Sequence, residues 1–518
     1  MLISRQHKKV LLNLRNPALI QAQIPHSKVI DYEGRPILVV PHGVEEAQVL
    51  NNMGIKVPSP ITYTYDFPGR FKPFFAQRAT AALATLHRRM YILNEMGTGK
   101  SLAALWAADY LMRQGLIRRA VILCPMSTME RTWGDEVFES FPERTFATVY
   151  GSAARRVKMV NQDVDFYILN HHGLKIDAVR NALLSRGDID LVIVDELAVY
   201  RNNRSDMWKS ANKFINAKGR PVPWAWGMTG TPMPKAPTDA YAQCKLLTPS
   251  TVPAYFGGFR DQVMRQESTY VWVPRDDAIE QVYDVMQPSV RFTRDECVDL
   301  PPCLYEERHV ELSPEQKAAY QDMLNHLIAE AQEGSISALN EVGKLGKLVQ
   351  IACGVAYGSD GQAIVLPAKP RIAALKEIID SATGKVIVYV PFTGALEMLQ
   401  AELAEWTTAR IDGTVSKTNR DDVFYRFQHD PDLRVLVAQP QAMSHGLTLT
   451  EANTIVWYAP TNSNDTYQQA NHRIIRPGQK QNQFVINLEG SPVERKMYRR
   501  LRNQQAVQVS FLEMISGS

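Results

Sequence analysis

Cysteine is scarce. The 518 residues hold five (Cys124, Cys244, Cys297, Cys303, Cys353), and no two form a C-x-x-C pair. That excludes a disulfide framework, argues against a structural zinc site and fits a reducing, intracellular setting. No apolar run approaches the roughly 20 residues of a membrane span. The stretch Met1-Leu2-Ile3-Ser4-Arg5-Gln6-His7-Lys8-Lys9 lacks the apolar core of a signal peptide. No membrane partner is expected. Charge excess is small: the formal charge is +4 and the pI near 8.6. Such a balance permits a nucleic-acid partner without demanding one. Repeats of short period, low-complexity tracts and acidic clusters of nuclease spacing are also missing.

What is present is alternation of strand and helix patterns. Residues 1–67 read as a small α+β unit, with strands on either side of a turn at Glu33-Gly34, a helix from Val44 to Met53 stopped by Gly54, and a linker at Pro58 and Pro60. From Phe71 to about Leu247, short, nearly continuous apolar runs (Ala120–Cys124, Phe166–Leu169, Leu191–Val194) are separated by helical stretches. Buried parallel strands look like this. Residues 251–367 are less regular and read as a helical insertion or linker, with a helix at Glu315–Gln332. Alternation returns from about 368 to 518, with strands at Lys385–Val390, Arg434–Ala438, Thr454–Tyr458 and Gln483–Asn487. The expected fold is α/β, with two doubly wound lobes, 68–250 and 368–518, behind the N-terminal domain.

The most informative stretch is Leu93-Asn94-Glu95-Met96-Gly97-Thr98-Gly99-Lys100-Ser101, between an apolar strand and a helix pattern. Strand, glycine turn, Lys-Ser and helix form the context of a phosphate-binding loop, although Asn94 stands where the first glycine of the pattern usually is. Met96, Gly97, Thr98 and Gly99 would wrap backbone N–H groups around phosphate oxygens. Lys100 would reach the β/γ-phosphates of ATP, and Ser101 would hold Mg²⁺. Leu191–Val194 runs into Asp195-Glu196. Alone, that pair would equally suit a surface cap. Beside a phosphate loop it reads as a Mg²⁺ ligand (Asp195) and a water-polarising carboxylate (Glu196). Thr229-Gly230-Thr231, after a tryptophan-rich strand, suits a turn that couples to nucleotide state. The Gln77 amide could read an adenine edge. Arg473 and Arg476, three apart and on one face if helical, could act as arginine fingers.

Taken in order, these motifs resemble those of Swi/Snf-type ATPases of helicase superfamily 2, across most of residues 70–490. Gln77 is similar to the adenine-reading motif, Asn94–Ser101 to motif I, Ile122–Ser127 with Trp133 to motif Ia, Asp195-Glu196 to motif II and Thr229–Pro232 to motif III. Leu300-Pro301-Pro302, Leu312–Gln316 and Lys347–Cys353 resemble the link into the second lobe. Ile411–Gly413 and Gln439–Asn453, with Ser444 and Gly446, look like motifs IV and V, and Gln469–Gln479 like motif VI. Motif II departs: Leu197-Ala198 replaces the usual Ala-His, which puts the coupling contact in doubt. The resemblance implies two RecA-like lobes, ATP and Mg²⁺ as cofactors, catalytic Lys100, Glu196, Arg473 and Arg476, and a nucleotide contact from Gly446. It further implies a compact, monomeric, cytoplasmic motor of a bacterium or phage. The motor would move along duplex, forked or branched DNA without sequence preference, the N-terminal domain reading the substrate. Two alternatives are a motor that displaces proteins such as polymerase from DNA, and a nucleic-acid-binding scaffold with a degenerate ATP site.

Overall fold

The computed structural model describes residues 1–516 except 33, 70–71, 220, 269–270, 295, 298–300, 333–337, 358–361, 444–448 and 477. The chain divides into two compact units, Met1–Cys297 with Gln508–Ser518, and Val298–Val507.

The first unit opens with an antiparallel sheet of β1 (Leu2–Ser4), β2 (Lys9–Asn13), β3 (Lys28–Tyr32) and β4 (Arg35–Pro41), in the order β1-β2-β4-β3. Val10, Leu12, Leu38 and Val40 alternate onto one face and are buried against Ile20 of the helix Ala18–Gln23, Ile24 just after it, and Ala47 and Leu50 of the helix Val44–Asn52. The same cluster includes Leu86, at the end of the helix Phe75–Leu86, so this sheet is seated on the following domain.

That domain holds β5 (Arg89–Ile92), β6 (Arg119–Cys124), β7 (Phe146–Val149), β8 (Phe166–Asn170), β9 (Ile189–Asp195), β10 (Trp224–Met228), a hairpin of β11 (Met264–Ser268) and β12 (Val271–Pro274), and β13 (Ser289–Val290). Seven of these make one parallel sheet, in the order β13-β5-β10-β9-β6-β8-β7. Its two faces are both buried. Tyr91, Val121, Leu123, Val192 and Val194 enter one core, and Met90, Ile92, Ala120, Ile122, Leu191 and Ile193 enter the other. Residues alternate between cores because side chains in a strand alternate between faces. Helices cover both, which explains the continuous apolar runs.

The second unit repeats the plan. It contains β14 (Cys303–His309), a hairpin of β15 (Val355–Tyr357) and β16 (Ala363–Val365), β17 (Lys385–Tyr389), β18 (Thr408–Ile411), β19 (Val435–Ala438), β20 (Ala452–Trp457) and β21 (Gln483–Glu489). Six are parallel, in the order β14-β21-β20-β17-β19-β18. Val386 and Val388 face one core, Ile387 and Tyr389 the other. The two doubly wound α/β lobes and the N-terminal α+β domain are those expected. The stretch 251–367 is only partly helical: β13 joins the first sheet and β14 the second. The sequence positions Glu33, Leu300, Gly334, Ser444 and Gly446 lie outside the described residues.

Candidate nucleotide site

Four loops follow four neighbouring strands, β5, β10, β9 and β6, at their carboxyl ends. In open parallel sheets ligands bind outside those ends. After β5 the chain enters the glycine loop. Gly97 (φ 86°) and Gly99 (φ 73°) both have left-handed backbones that a side chain would strain. The helix Lys100–Arg113 starts directly after. Its first amides and partial positive charge face the loop, the arrangement that binds phosphate. Lys100 Nζ donates to the carbonyls of Asn94 (2.9 Å) and Glu95 (3.0 Å).

Gln77 sits at the third position of the helix Phe75–Leu86. Its Oε1 accepts from the Phe74 amide (2.9 Å), and its Nε2 donates to Gly99 O (3.4 Å). A Cβ on Gly99 would fall on the Gln77 amide. Gln77 is buried, and in this structure it caps its helix and braces the glycine loop. Asn94, at the place of the usual first glycine, is buried as a polar strut: Nδ2 donates to Thr80 Oγ1 (2.8 Å), and Oδ1 accepts from the Phe292 amide (3.0 Å).

At the end of β9, Asp195 Oδ2 accepts from the indole Nε1 of Trp133 (3.0 Å), and Oδ1 accepts from the Glu196 amide (3.1 Å). Burial raises the Asp195 carboxyl above its ordinary value, while the Trp133 hydrogen bond and the Lys100 charge pull it down. Phosphate lysine and acid are thus close enough to interact. Glu196 has a left-handed backbone (φ 54°) without being glycine. Strain of that kind, on the order of 1–3 kcal/mol, gathers at functional sites. After β10, Thr229 N donates to Ile92 O (3.1 Å), and Thr231 N donates to Thr229 Oγ1 (3.1 Å). A Cβ on Gly230 would be 3.6 Å from both Asn94 O and Met96 N. This turn therefore lies against the glycine loop.

The first lobe brings together Gln77, the 94–101 loop, Asp195-Glu196 and the 229–231 turn. Its residues fit a magnesium nucleotide: a glycine cradle at a helix N-terminus, a lysine, a hydroxyl at Ser101, and a half-buried carboxylate whose charge a cation would stabilise. Arg473 and Arg476 belong to the second unit. They do not share a helical face, because the helix Asn464–Asn471 ends before them. Ile474 and Ile475 are both buried in the core, which draws the chain off the helical path, and a following proline disfavours helix at position 476. Arg473 is 2% exposed, and Arg476 Nε donates to His472 O (2.9 Å).

Sequence reasoning missed the segment after Pro288. β13 pairs with β5, and Leu93 N and Glu95 N donate onward to Val290 O (2.8 Å) and Phe292 O (3.0 Å). Arg291 donates to Leu93 O (2.8 Å) and Glu95 Oε1 (2.7 Å), and the Arg294 amide donates to Glu95 Oε2 (3.0 Å). The only signal was an arginine among apolar residues, which spacing does not single out.

Comparison with known proteins matches residues 77–352 to the SNF2-related domain and residues 370–478 to the helicase conserved C-terminal domain. The chromatin remodeling 4 protein of Arabidopsis thaliana is 22% identical over 439 residues, covering 77% of this chain and 19% of that protein. Putative protein p41 of Acyrthosiphon pisum secondary endosymbiont phage 1 is 23% identical over 418 residues, covering 75% of this chain and 85% of that protein. The solved Sulfolobus solfataricus SWI2/SNF2 ATPase core in complex with dsDNA aligns at 20% identity with a TM-score of 0.41, covering 87% of this chain and 94% of that one.

Proposed function

The chain belongs to the SNF2-related domain family, as a Swi/Snf-type member of helicase superfamily 2 with RecA-like lobes, and we propose that it is an ATP-driven translocase on double-stranded DNA that remodels forked or branched structures. Fork regression, branch migration and strand annealing are the outcomes such a motor would have. Membership implies ATP hydrolysis. The observation that carries the reading is the convergence of glycine loop, Asp195-Glu196 and the 229–231 turn at adjoining strand ends.

In that reading the 97–100 amides and the helix N-terminus bind the phosphates. Lys100 leaves the carbonyls of Asn94 and Glu95 for the β/γ-phosphates. Ser101 and Asp195 would hold Mg²⁺, and the ion would supply charge neutralisation at the phosphates. Glu196 orients the attacking water and takes its proton. The turn at Gly230 touches the glycine loop and so feels loss of the γ-phosphate directly. Arg473 and Arg476 take the transition-state role that the resemblance implies for them.

DNA contacts would go mainly to phosphates, and binding would weaken as salt rises. Residues 1–67 carry seven bases against the five acids Asp31, Glu33, Glu45, Glu46 and Asp66, and six of the bases, Arg5, Lys8, Lys9, Arg15, Lys28 and Arg35, lie exposed in the sheet and loops of residues 1–42. That excess supports the N-terminal domain as a reader of the DNA substrate. The test is ATP turnover with no nucleic acid and with single-stranded, duplex and forked DNA, using Lys100→Ala as control. Duplex or forked DNA should stimulate turnover, and the control should abolish it. Absence of turnover under every condition would favour the scaffold reading. The triple variant Lys9→Glu/Lys28→Glu/Arg35→Glu should lose preference for forked DNA while keeping duplex-stimulated turnover. Equal loss of both would remove the reader assignment.

A further inference from the structure

Trp133 has no role in the activity as described so far, yet it touches the acid on which Mg²⁺ binding depends. It is fully buried, in a segment whose backbone is unusual. A 3₁₀ turn at Met126–Thr128 passes into a π-helical turn at Met129–Gly134, and only then into the α-helix Asp135–Ser140. A π-turn holds one residue more than an α-turn and re-aims the side chains near it. Such turns are rare and cluster at functional sites. Gly134 closes this one tightly: a Cβ there would be 3.2 Å from the Phe146 ring and 3.4 Å from Met129 O.

The product of this local geometry is one hydrogen bond, Trp133 Nε1 to Asp195 Oδ2 at 3.0 Å. Oδ1 is held separately by the Glu196 amide. Each carboxylate oxygen therefore has one fixed donor from the protein, and the plane of the carboxylate is set. Each also retains acceptor capacity. An indole N–H can only donate, so Trp133 holds the carboxylate without competing for a cation. Outer partners of this kind fix ligand orientation, and their loss costs roughly 10- to 100-fold in metal affinity.

We propose that Trp133 is a positioning residue for the metal site, holding Asp195 in the orientation that receives Mg²⁺ of the bound nucleotide. The proposal rests on the reading of this site as a magnesium-nucleotide site. It gives the π-turn a purpose: the turn delivers the indole to the end of β9.

The test uses the full chain and equilibrium binding rather than turnover. Trp133→Phe keeps an aromatic ring in the core and deletes the donor. Fluorescent mant-ADP is titrated without Mg²⁺, and Mg²⁺ is then titrated at fixed nucleotide. The expected result is metal-free mant-ADP affinity within about two-fold of wild type, with half-saturating Mg²⁺ raised about ten-fold or more. Should the phenylalanine variant not fold, β-(3-benzothienyl)alanine at position 133 keeps the bicyclic ring and lacks only the N–H. Unchanged half-saturating Mg²⁺ in a folded variant would show that Trp133 merely fills the core and would overturn the proposal. Wild-type protein whose mant-ADP binding ignores Mg²⁺ would instead overturn the nucleotide-site reading beneath it.

Discussion

Replacing Arg291 with methionine tests whether the segment after β13 holds the glycine loop. The arginine side chain is 3% exposed, and its Glu95 partner 28% exposed. The change removes two hydrogen bonds from a charged donor, at 2.8 Å to Leu93 O and 2.7 Å to Glu95 Oε1. Bonds to charged groups contribute about 1.5–3 kcal/mol each. Two terms offset that loss. Burial already depresses the Arg291 guanidinium below its ordinary value, so removing it relieves a desolvation cost, and water reaches part of Glu95. Methionine also keeps most of the buried volume. The net expectation is about 2–3 kcal/mol. Urea unfolding of the first unit should show a lower midpoint with an unchanged slope. Because the chain has two units, probes must report on the first one. In a cycle with Glu95→Gln the two changes should couple by about 1 kcal/mol or more, and mant-ADP affinity should fall several-fold in each single variant. A destabilisation under about 0.5 kcal/mol with no coupling would refute the clamp.

Three further outcomes follow from the same geometry. Gly99→Ala should weaken nucleotide binding and cost about 1–2 kcal/mol for the left-handed backbone plus the displaced Gln77 amide. In a Gln77→Ala background its cost should shrink by roughly 1 kcal/mol, read by denaturation and mant-ADP titration, and strict additivity would contradict the overlap. Asp195→Asn should abolish turnover yet raise the melting temperature of nucleotide-free protein. Since the folded carboxyl is raised, the native state binds the extra proton, and wild-type stability falls as pH rises through the folded pKa. The advantage of the variant should therefore be largest above that pKa, shrink as pH falls below it and vanish only below the ordinary carboxyl value of the unfolded chain, and a pH-independent gap would refute this account. Arg371→Met leaves Glu494 buried without its 2.8 Å ion-pair partner and should cost about 3–5 kcal/mol in unfolding of the second unit. A neutral result would mean that Ser491 and the Gly490 amide, which also donate to Glu494, suffice to hold it.

The central strands of both lobes were legible because burial on two faces leaves a continuous apolar run bounded by turns. β6, β8, β9, β17, β19, β20 and β21 all lie within two residues of their expected limits. β13 and β14 were not. β13 is two residues long and is defined by its pairing with β5, almost 200 residues away in sequence. β14 reads Cys-Leu-Tyr-Glu-Glu-Arg-His and is mostly exposed at a sheet edge, so no continuous apolar run marks it. The glycine loop and Asp195-Glu196 were legible because their chemistry needs particular residue types at a strand end. The supports of those residues were not. Asn94, Phe292 and Arg291 act through distant pairings, and the contact of Gln77 with Gly99 was not visible in a sequence that suggested only an amide able to read an adenine edge. The arginines of the second unit were visible as residues, while the helical condition on which they would share a face is not met, because the helix ends at Asn471 and two isoleucines after Arg473 are buried.

The departure in motif II has a physical counterpart. Leu197 is fully buried in the core of the first lobe, and Ala198 is nearly so. A Cβ on Gly227 would come 2.6 Å from Leu197 Cδ2 and 2.5 Å from Leu247 Cδ1. Leu197 therefore occupies space that Gly227 leaves open, and the glycine directly precedes the residues that lead into the 229–231 turn. The contact between the residues just after β9 and the end of β10 is apolar at this point. Gly227→Ala should overpack it, costing about 1–3 kcal/mol. Because Thr229 and Gly230 sit against the glycine loop, the variant should also reduce ATP turnover in still-folded protein. Gly227→Ala/Leu197→Ala should recover part of both losses, since truncating Leu197 frees the space the new methyl takes, while Leu247 keeps recovery incomplete. A double variant worse than the sum of its parts would show that Leu197 supports the site by some route other than its fit against Gly227.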